Sequence, residues 1–308
     1  MPETFIGLPR RSADDLADVR VAVLGAAEAS PYKLGEASHS AGAPAALRRA
    51  SMRFAGSLMQ HDFDLGAAFF TARDDHRGLA DCGDVKTSTY EPEANRAAIT
   101  EGVARLLAAG VRPLVLGGDD SVPIPVLAAY EGHGPLTILH IDAHVDWADV
   151  IQGNPYGYGS PMRRAAEMPW VTGMVQVGIR GLGSGEGWQH DDARAWGSHI
   201  VTSYDLHDRG VAAVLALIPE GARVFVSIDC DGIDPAILPA VNMPTPGGLG
   251  YEDMIRLLRS TAAKAEIVGT AILEYVPVHD NGRQLSGQVA ARIGAVAMGL
   301  MAGFGRAA

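Results

Sequence analysis

Two short apolar runs in this 308-residue chain end in clustered carboxylates, and that pairing restricts the fold more than any other feature. Leu136 to Ile141 leads into Asp142-Ala143-His144-Val145-Asp146. Val224 to Ile228 leads into Asp229-Cys230-Asp231-Gly232-Ile233-Asp234-Pro235. Short apolar, β-favouring runs bounded by turn formers read as buried strands. Burying several carboxylates together is costly without positive charge, and neither segment contains Lys or Arg. Divalent cations are the simplest compensation, because carboxylate and imidazole are their ordinary ligands.

Strand-like and helix-like runs alternate along the chain. Strands are expected at Val21 to Leu24, Cys82 to Val85, Arg112 to Leu116, Leu136 to Ile141, Val175 to Ile179, His199 to Thr202, Val224 to Ile228 and Ile267 to Leu273. Helices are expected at Ala43 to Arg53, Glu91 to Ala109, Pro123 to Tyr130, Val211 to Leu217, Tyr251 to Lys264 and Gln288 to Met301. This alternation predicts an α/β fold with a mostly parallel sheet and helices on both faces. No repeat, low-complexity tract or linker interrupts it, so one domain over residues 1–308 is expected.

Ligands of open α/β sheets sit beyond the carboxyl ends of the strands. Four strand ends here carry chemically useful groups: Gly117-Gly118-Asp119-Asp120-Ser121, the Asp142 segment, the Asp229 segment, and Glu274-Tyr275-Val276-Pro277. Alternate residues of an extended chain point the same way, so Asp142, His144 and Asp146 can converge, as can Asp229 and Asp231. These five are too many for one tetrahedral zinc and suit two ions with bridging carboxylates. An oxygen-rich set favours manganese or another hard-to-borderline ion. Two ions sharing a water yield a hydroxide nucleophile near neutral pH.

Net charge is −11 with no basic block, which argues against a nucleic-acid partner and suits a cationic small molecule. No run is long and apolar enough to span a membrane, and the first residues do not read as a signal peptide. With only Cys82 and Cys230, no disulfide framework is expected, and a reducing, cytoplasmic setting follows.

The Asp-Ala-His-x-Asp and Ser-x-Asp-x-Asp-x-x-Asp-Pro segments resemble those of the ureohydrolase family, the arginases and agmatinases, with the agmatinase branch nearer. The similarity extends to Pro31-Tyr32, Val177-Gly178-Ile179-Arg180-Gly181 and Pro246-Gly247-Gly248-Leu249. It implies an arginase-like, three-layer α-β-α fold and a binuclear manganese centre, with nickel in some relatives. It implies hydrolysis of a guanidino compound to urea and an amine, and assembly as a homo-oligomer, a trimer or hexamer. By that resemblance Asp142, His144, Asp146, Asp229 and Asp231 are metal ligands, with Asp142 and Asp229 bridging. Glu274 holds the guanidinium, whose planar fork suits a carboxylate.

Two positions depart from the family pattern. Asp120 stands where the family has a histidine ligand. It either ligates, directly or through a water, or one ion is lost; in the first case the ligand set gains a negative charge, disfavouring imidazole-loving metals. Tyr158, in Tyr158-Gly159-Ser160-Pro161-Met162-Arg163-Arg164, stands where the family has a histidine proton shuttle. A phenol is a poor shuttle at pH 7, so Tyr158 is expected to donate a hydrogen bond, to close the pocket, or simply to pack on the surface. His279 is the best substitute shuttle in the sequence. His140 reads as a core residue, and Arg180 as a tie between a strand end and a loop. These departures also motivate a different function: a catalytically weak or silent subunit. A third possibility is cleavage of another amidine-type bond, as in formimino or substituted guanidine compounds.

Overall fold

The computed structural model describes residues 3–72, 76 and 78–305. Its strands are β1 (Val21–Ala26), β2 (Leu79–Asp84), β3 (Arg112–Gly117), β4 (Leu136–Ile141), β5 (Val171–Ile179), β6 (His199–Thr202), β7 (Arg223–Asp229) and β8 (Glu266–Leu273). They form one sheet in the order β2-β1-β3-β8-β7-β4-β5-β6, with every neighbouring pair parallel. The connections carry α1 (Ala43–Ala55), α2 (Pro92–Ala108), α3 (Pro123–Ala128), α4 (Pro161–Ala166), α5 (Gly187–Trp196), α6 (Ser203–Arg209), α7 (Val211–Leu215), α8 (Tyr251–Lys264) and α9 (Leu285–Met301).

Strand parity sorts side chains into two cores, one on each face of the sheet. Val21 and Val23 of β1, Leu139 and Ile141 of β4, and Val224, Val226 and Ile228 of β7 pack with α1, α8 and α9. Ala22 and Leu24, Leu136 and Ile138, and Phe225 pack with α2 and α3 on the other face. The result is a three-layer α-β-α sandwich, as the resemblance implies. Helix α8 shows how the sequence writes one of these layers. Met254, Ile255, Leu257, Leu258, Thr261 and Ala262 give it one buried stripe. Asp253 accepts the Gly250 N–H at 3.0 Å, and Lys264 sits in the last turn, both in keeping with the helix dipole.

Several boundaries differ from expectation for local reasons. β2 runs over Leu79–Asp84 rather than starting at Cys82. Its Asp81 is fully buried by an ion pair with Arg48 (Nε to Oδ2, 2.8 Å), so the strand looks polar in sequence. β5 starts at Val171, because exposed Thr172 and half-buried Gly173 interrupt its apolar run. The short helices α4, α5 and α6 have no long apolar period to reveal them. α5 and α6 begin instead at capping boxes, Glu186 with Gln189 and Thr202 with Asp205.

Strands β3, β8, β7 and β4 are consecutive in the sheet, and they are the four whose ends carry the acidic groups. Gly118 fixes the first of these ends: a Cβ there would fall 1.7 Å from the Ala27 carbonyl oxygen and 3.3 Å from that of Ser40. Gly118→Ala is therefore expected to lower the melting temperature, at a cost of roughly 1–3 kcal/mol typical of overpacking. A variant melting with the wild type would show that this turn has room to move.

Candidate metal centre

The chain leaves β3 through Gly118, and the two aspartates that follow part company. Asp119 turns back to accept the Ser121 N–H (3.0 Å) and hydroxyl (2.5 Å). Asp120 is 1 % exposed, and neither of its carboxylate oxygens has a hydrogen-bond partner. From β4, His140 and Asp142 share the face set by Leu136 and Ile138, and both are fully buried. Asp146 follows with φ of +47°, a left-handed conformation uncommon outside glycine and frequent at functional sites.

Two groups of side chains place their ligand atoms within 4.8 Å of one another: Asp120, His140, Asp142 and Asp146, and Asp142, His144 and Asp231. Asp142 belongs to both. Its Oδ1 accepts the His144 N–H at 2.6 Å, while its Oδ2 lies 2.9 Å from His140 Nε2 without a directed hydrogen bond. His144 Nδ1 stands 3.2 Å from Asp142 and 3.1 Å from Asp231. Asp229 accepts the Asp231 N–H (2.7 Å) and lines the same pocket, but lies outside both tight groups. Glu274 also has positive φ, +60°, and its Oε1 accepts the Asp120 N–H at 2.9 Å.

Burial dominates the electrostatics of the cluster. Burial, reinforced by neighbouring carboxylates, lifts Asp120 and Asp229 well above the ordinary carboxylate range and pushes Asp142 and Asp146 up to about 7. Burial opposes charge on His144, yet hydrogen bonds to Asp142 and Asp231 win and raise it to about 11. The imidazole thus serves as the countercharge that a cation would otherwise supply. Among the described residues, no Lys or Arg pairs with these carboxylates. Arg180 is close, but spends its guanidinium on carbonyls: Asp231 (2.7 Å), Gly232 (3.2 Å), Gly178 (3.0 Å) and Thr245 (2.6 Å). It ties the ends of β5 and β7 to the loop before α8. The orphaned carboxylate oxygens on Asp120 and Asp142 are donors that fit divalent cations.

A pocket of about 180 Å³ opens over this cluster, lined by Asp120, His144, Asp146, Asp229, Asp231 and Glu274 on one side and by Tyr158, Asn242 and Met243 among others. Five of the six expected ligands share this lining with Glu274, and Asp142 joins them through both ligand groups. Tyr158 is half-buried, held edge-on against Tyr32 with ring centroids 4.5 Å apart, so it belongs to the pocket wall rather than to a free surface. Met162 is fully buried in the core and does not line the pocket. His279 is exposed, its Nδ1 3.0 Å from the Val241 carbonyl, and is not among the residues lining this pocket. Burial of His140 matches the sequence expectation, but its Nε2 faces the acidic cluster. Its Nδ1 lies 3.1 Å from Gln176 Nε2, which also donates to the Val145 carbonyl (2.8 Å).

Sequence reasoning missed His39. Its Nε2 is hydrogen-bonded to Glu274 Oε2, and its ring packs edge-on against Tyr158 at 5.4 Å. The contact spans 235 residues, and no local pattern marks it.

The sequence pattern of the Arginase family matches residues 20–299. Proclavaminate amidinohydrolase of Streptomyces clavuligerus is 33% identical over 288 residues, covering 91% of this chain and 87% of that protein. Its solved structure superposes with a TM-score of 0.81 at 29% identity, covering 98% of this chain and 97% of that one. N(1)-aminopropylagmatine ureohydrolase of Thermus thermophilus is 34% identical over 212 residues, 68% of this chain and 69% of its own. The structure of agmatine ureohydrolase of Thermoplasma volcanium aligns with a TM-score of 0.77 at 26% identity, over 98% and 94% of the chains. The chain belongs to the arginase family, whose amidinohydrolases depend on binuclear metal centres. Among the described residues no helix is long and apolar enough to cross a membrane.

In metal-stripped protein, Asp142 and Asp146 hold protons up to about pH 7, whereas in the unfolded chain they release them near ~4. Their contribution to stability is therefore full below ~4 and lost as pH rises through about 7. Divalent cations bind the deprotonated carboxylates and reverse this loss. The gap in melting temperature between manganese-loaded and stripped protein should widen from pH 5 to pH 8, as read by differential scanning calorimetry. A gap that stays flat or shrinks would contradict the proposed donor set.

Proposed function

We propose that this chain is an agmatinase-like amidinohydrolase that cleaves a small cationic guanidino compound to urea and an amine, using two divalent cations, manganese by preference. The observation that carries this is the sharing of Asp142 between two ligand groups beneath a pocket walled by Glu274. The relatives named for amidino and urea chemistry support it.

When bound, the two cations supply Lewis-acid activation of water. The protein's own residues account for the rest. Asp120, Asp142, Asp146, His144, Asp229 and Asp231 would hold the cations. Glu274 receives the guanidinium through two N–H groups, a match of charge and fork geometry. Asp120 contributes at both levels, its carboxylate in the cluster and its N–H on Glu274 Oε1. Tyr158, restrained by Tyr32 and His39, closes one wall and narrows solvent access to the planar cation. Asn242 and Met243 stand where the tail of the substrate would run.

Manganese-loaded protein should release urea from at least one member of a panel containing agmatine, guanidinobutyrate, arginine and methylated guanidines. Glu274→Gln should keep its metal and lose about tenfold or more in kcat/KM, the scale of a hydrogen bond to a charged group. Full metal occupancy with no urea from any compound would contradict the proposal. Failure to retain any metal would favour the silent-subunit alternative.

A further inference from the structure

We propose that His39 is a positioning residue for the substrate: it pins the Glu274 carboxylate in the orientation that receives a guanidinium edge. This rests on the assignment of Glu274 as the guanidinium-binding group.

The loop that carries His39 is anchored independently of the site. Glu28 Oε2 accepts the Ser38 N–H at 3.1 Å, and the Ala43 N–H donates to the Ser40 carbonyl at 2.8 Å as α1 begins. The Ser40 carbonyl in turn sits against Gly118, where a Cβ would come within 3.3 Å of it. The imidazole is therefore delivered to Glu274 by a segment already packed on the end of β3. On its other side the ring meets Tyr158 edge-on at 5.4 Å, and Tyr158 is backed by Tyr32, whose hydroxyl accepts the Gly159 N–H at 3.1 Å.

Glu274 is consequently held from two directions. Asp120 N–H donates to Oε1 at 2.9 Å and His39 Nε2 donates to Oε2. A carboxylate oxygen accepts more than one hydrogen bond, so each oxygen keeps capacity for a ligand N–H. Two oxygens fixed in this way present a planar pair of acceptors, the complement of a guanidinium or amidinium edge. The Glu274 backbone itself is in the left-handed region, so the chain does not hold this side chain in place by an ordinary strand conformation. Removing the His39 donor leaves Oε2 free to rotate out of register, and the loss falls on substrate binding. The metal ligands are untouched.

The test compares wild type with His39→Ala, His39→Asn and His39→Gln, all manganese-loaded. A glutamine amide nitrogen reaches about as far as the histidine Nε2, whereas an asparagine amide mimics only the nearer ring nitrogen. KM and kcat for urea release are measured beside metal content, melting temperature and the calorimetric affinity for guanidinium chloride. With metal content unchanged, His39→Ala and His39→Asn should raise KM, and weaken guanidinium binding, by about tenfold or more, with kcat changing less. His39→Gln should recover most of both. KM and guanidinium affinity within twofold of wild type in the alanine variant would overturn the inference. Equal behaviour of the asparagine and glutamine variants would overturn it too, since a purely structural role does not distinguish amide reach. Weakened guanidinium binding that glutamine restores, in a protein releasing no urea, would sustain His39 while the proposed hydrolysis fails. A wild type that binds no guanidinium would remove the assignment of Glu274 and this inference together.

Discussion

Carboxylates from adjacent parallel strands converge in a space where no arginine or lysine among the described residues answers them, and the surrounding structure is organised around that conflict. Charge of one sign at such short range is tolerated only if protons or cations neutralise it. Burial and neighbouring carboxylates push Asp142 and Asp146 up to about 7, and hydrogen bonds to two aspartates raise His144 to about 11. Divalent cations would answer the same excess of negative charge. The nearest guanidinium, Arg180, is already committed to carbonyl oxygens, so it stabilises the backbone without neutralising the site.

The scaffold resists this repulsion with rigidity. β3, β8, β7 and β4 lie side by side with both faces covered, so their ends cannot spread without breaking ladder hydrogen bonds and unpacking two cores. Asp146 and Glu274 are held at positive φ, and Gly118 admits the Ala27 carbonyl where any side chain would collide. Strain of this kind persists where the surrounding packing over-determines the backbone. Here it aims the carboxylates inward, and Tyr158, packed against Tyr32 and His39, lines the pocket beside them.

Much of this was legible in the sequence, for physical reasons that can be named. Alternation along an extended chain let Asp142, His144 and Asp146 converge, although β4 itself ends at Ile141 and Asp146 turns at positive φ. The lengths of β4 and α8 follow from unbroken apolar patterning. The same parity places His140 beside Asp142, yet a buried strand histidine is ordinarily a satisfied core residue, and only the geometry shows its Nε2 facing the acidic cluster. His39 was invisible because its importance lies in a contact with Glu274 across nearly the whole chain. His279, close to Glu274 in sequence, is carried outward by the turn that follows β8 and settles against Val241. The short helices α4 to α6 are set by caps and packing, which periodicity does not report.

In the proposed function these side chains form one divalent-cation centre with Asp142 in common. Anomalous diffraction from crystals soaked in manganese tests it most directly. Two peaks are predicted, one among Asp120, Asp142 and Asp146 and one among Asp142, His144 and Asp231, with Asp142 within bonding distance of both. No peak at this cluster, or peaks only at surface carboxylates, would contradict the account.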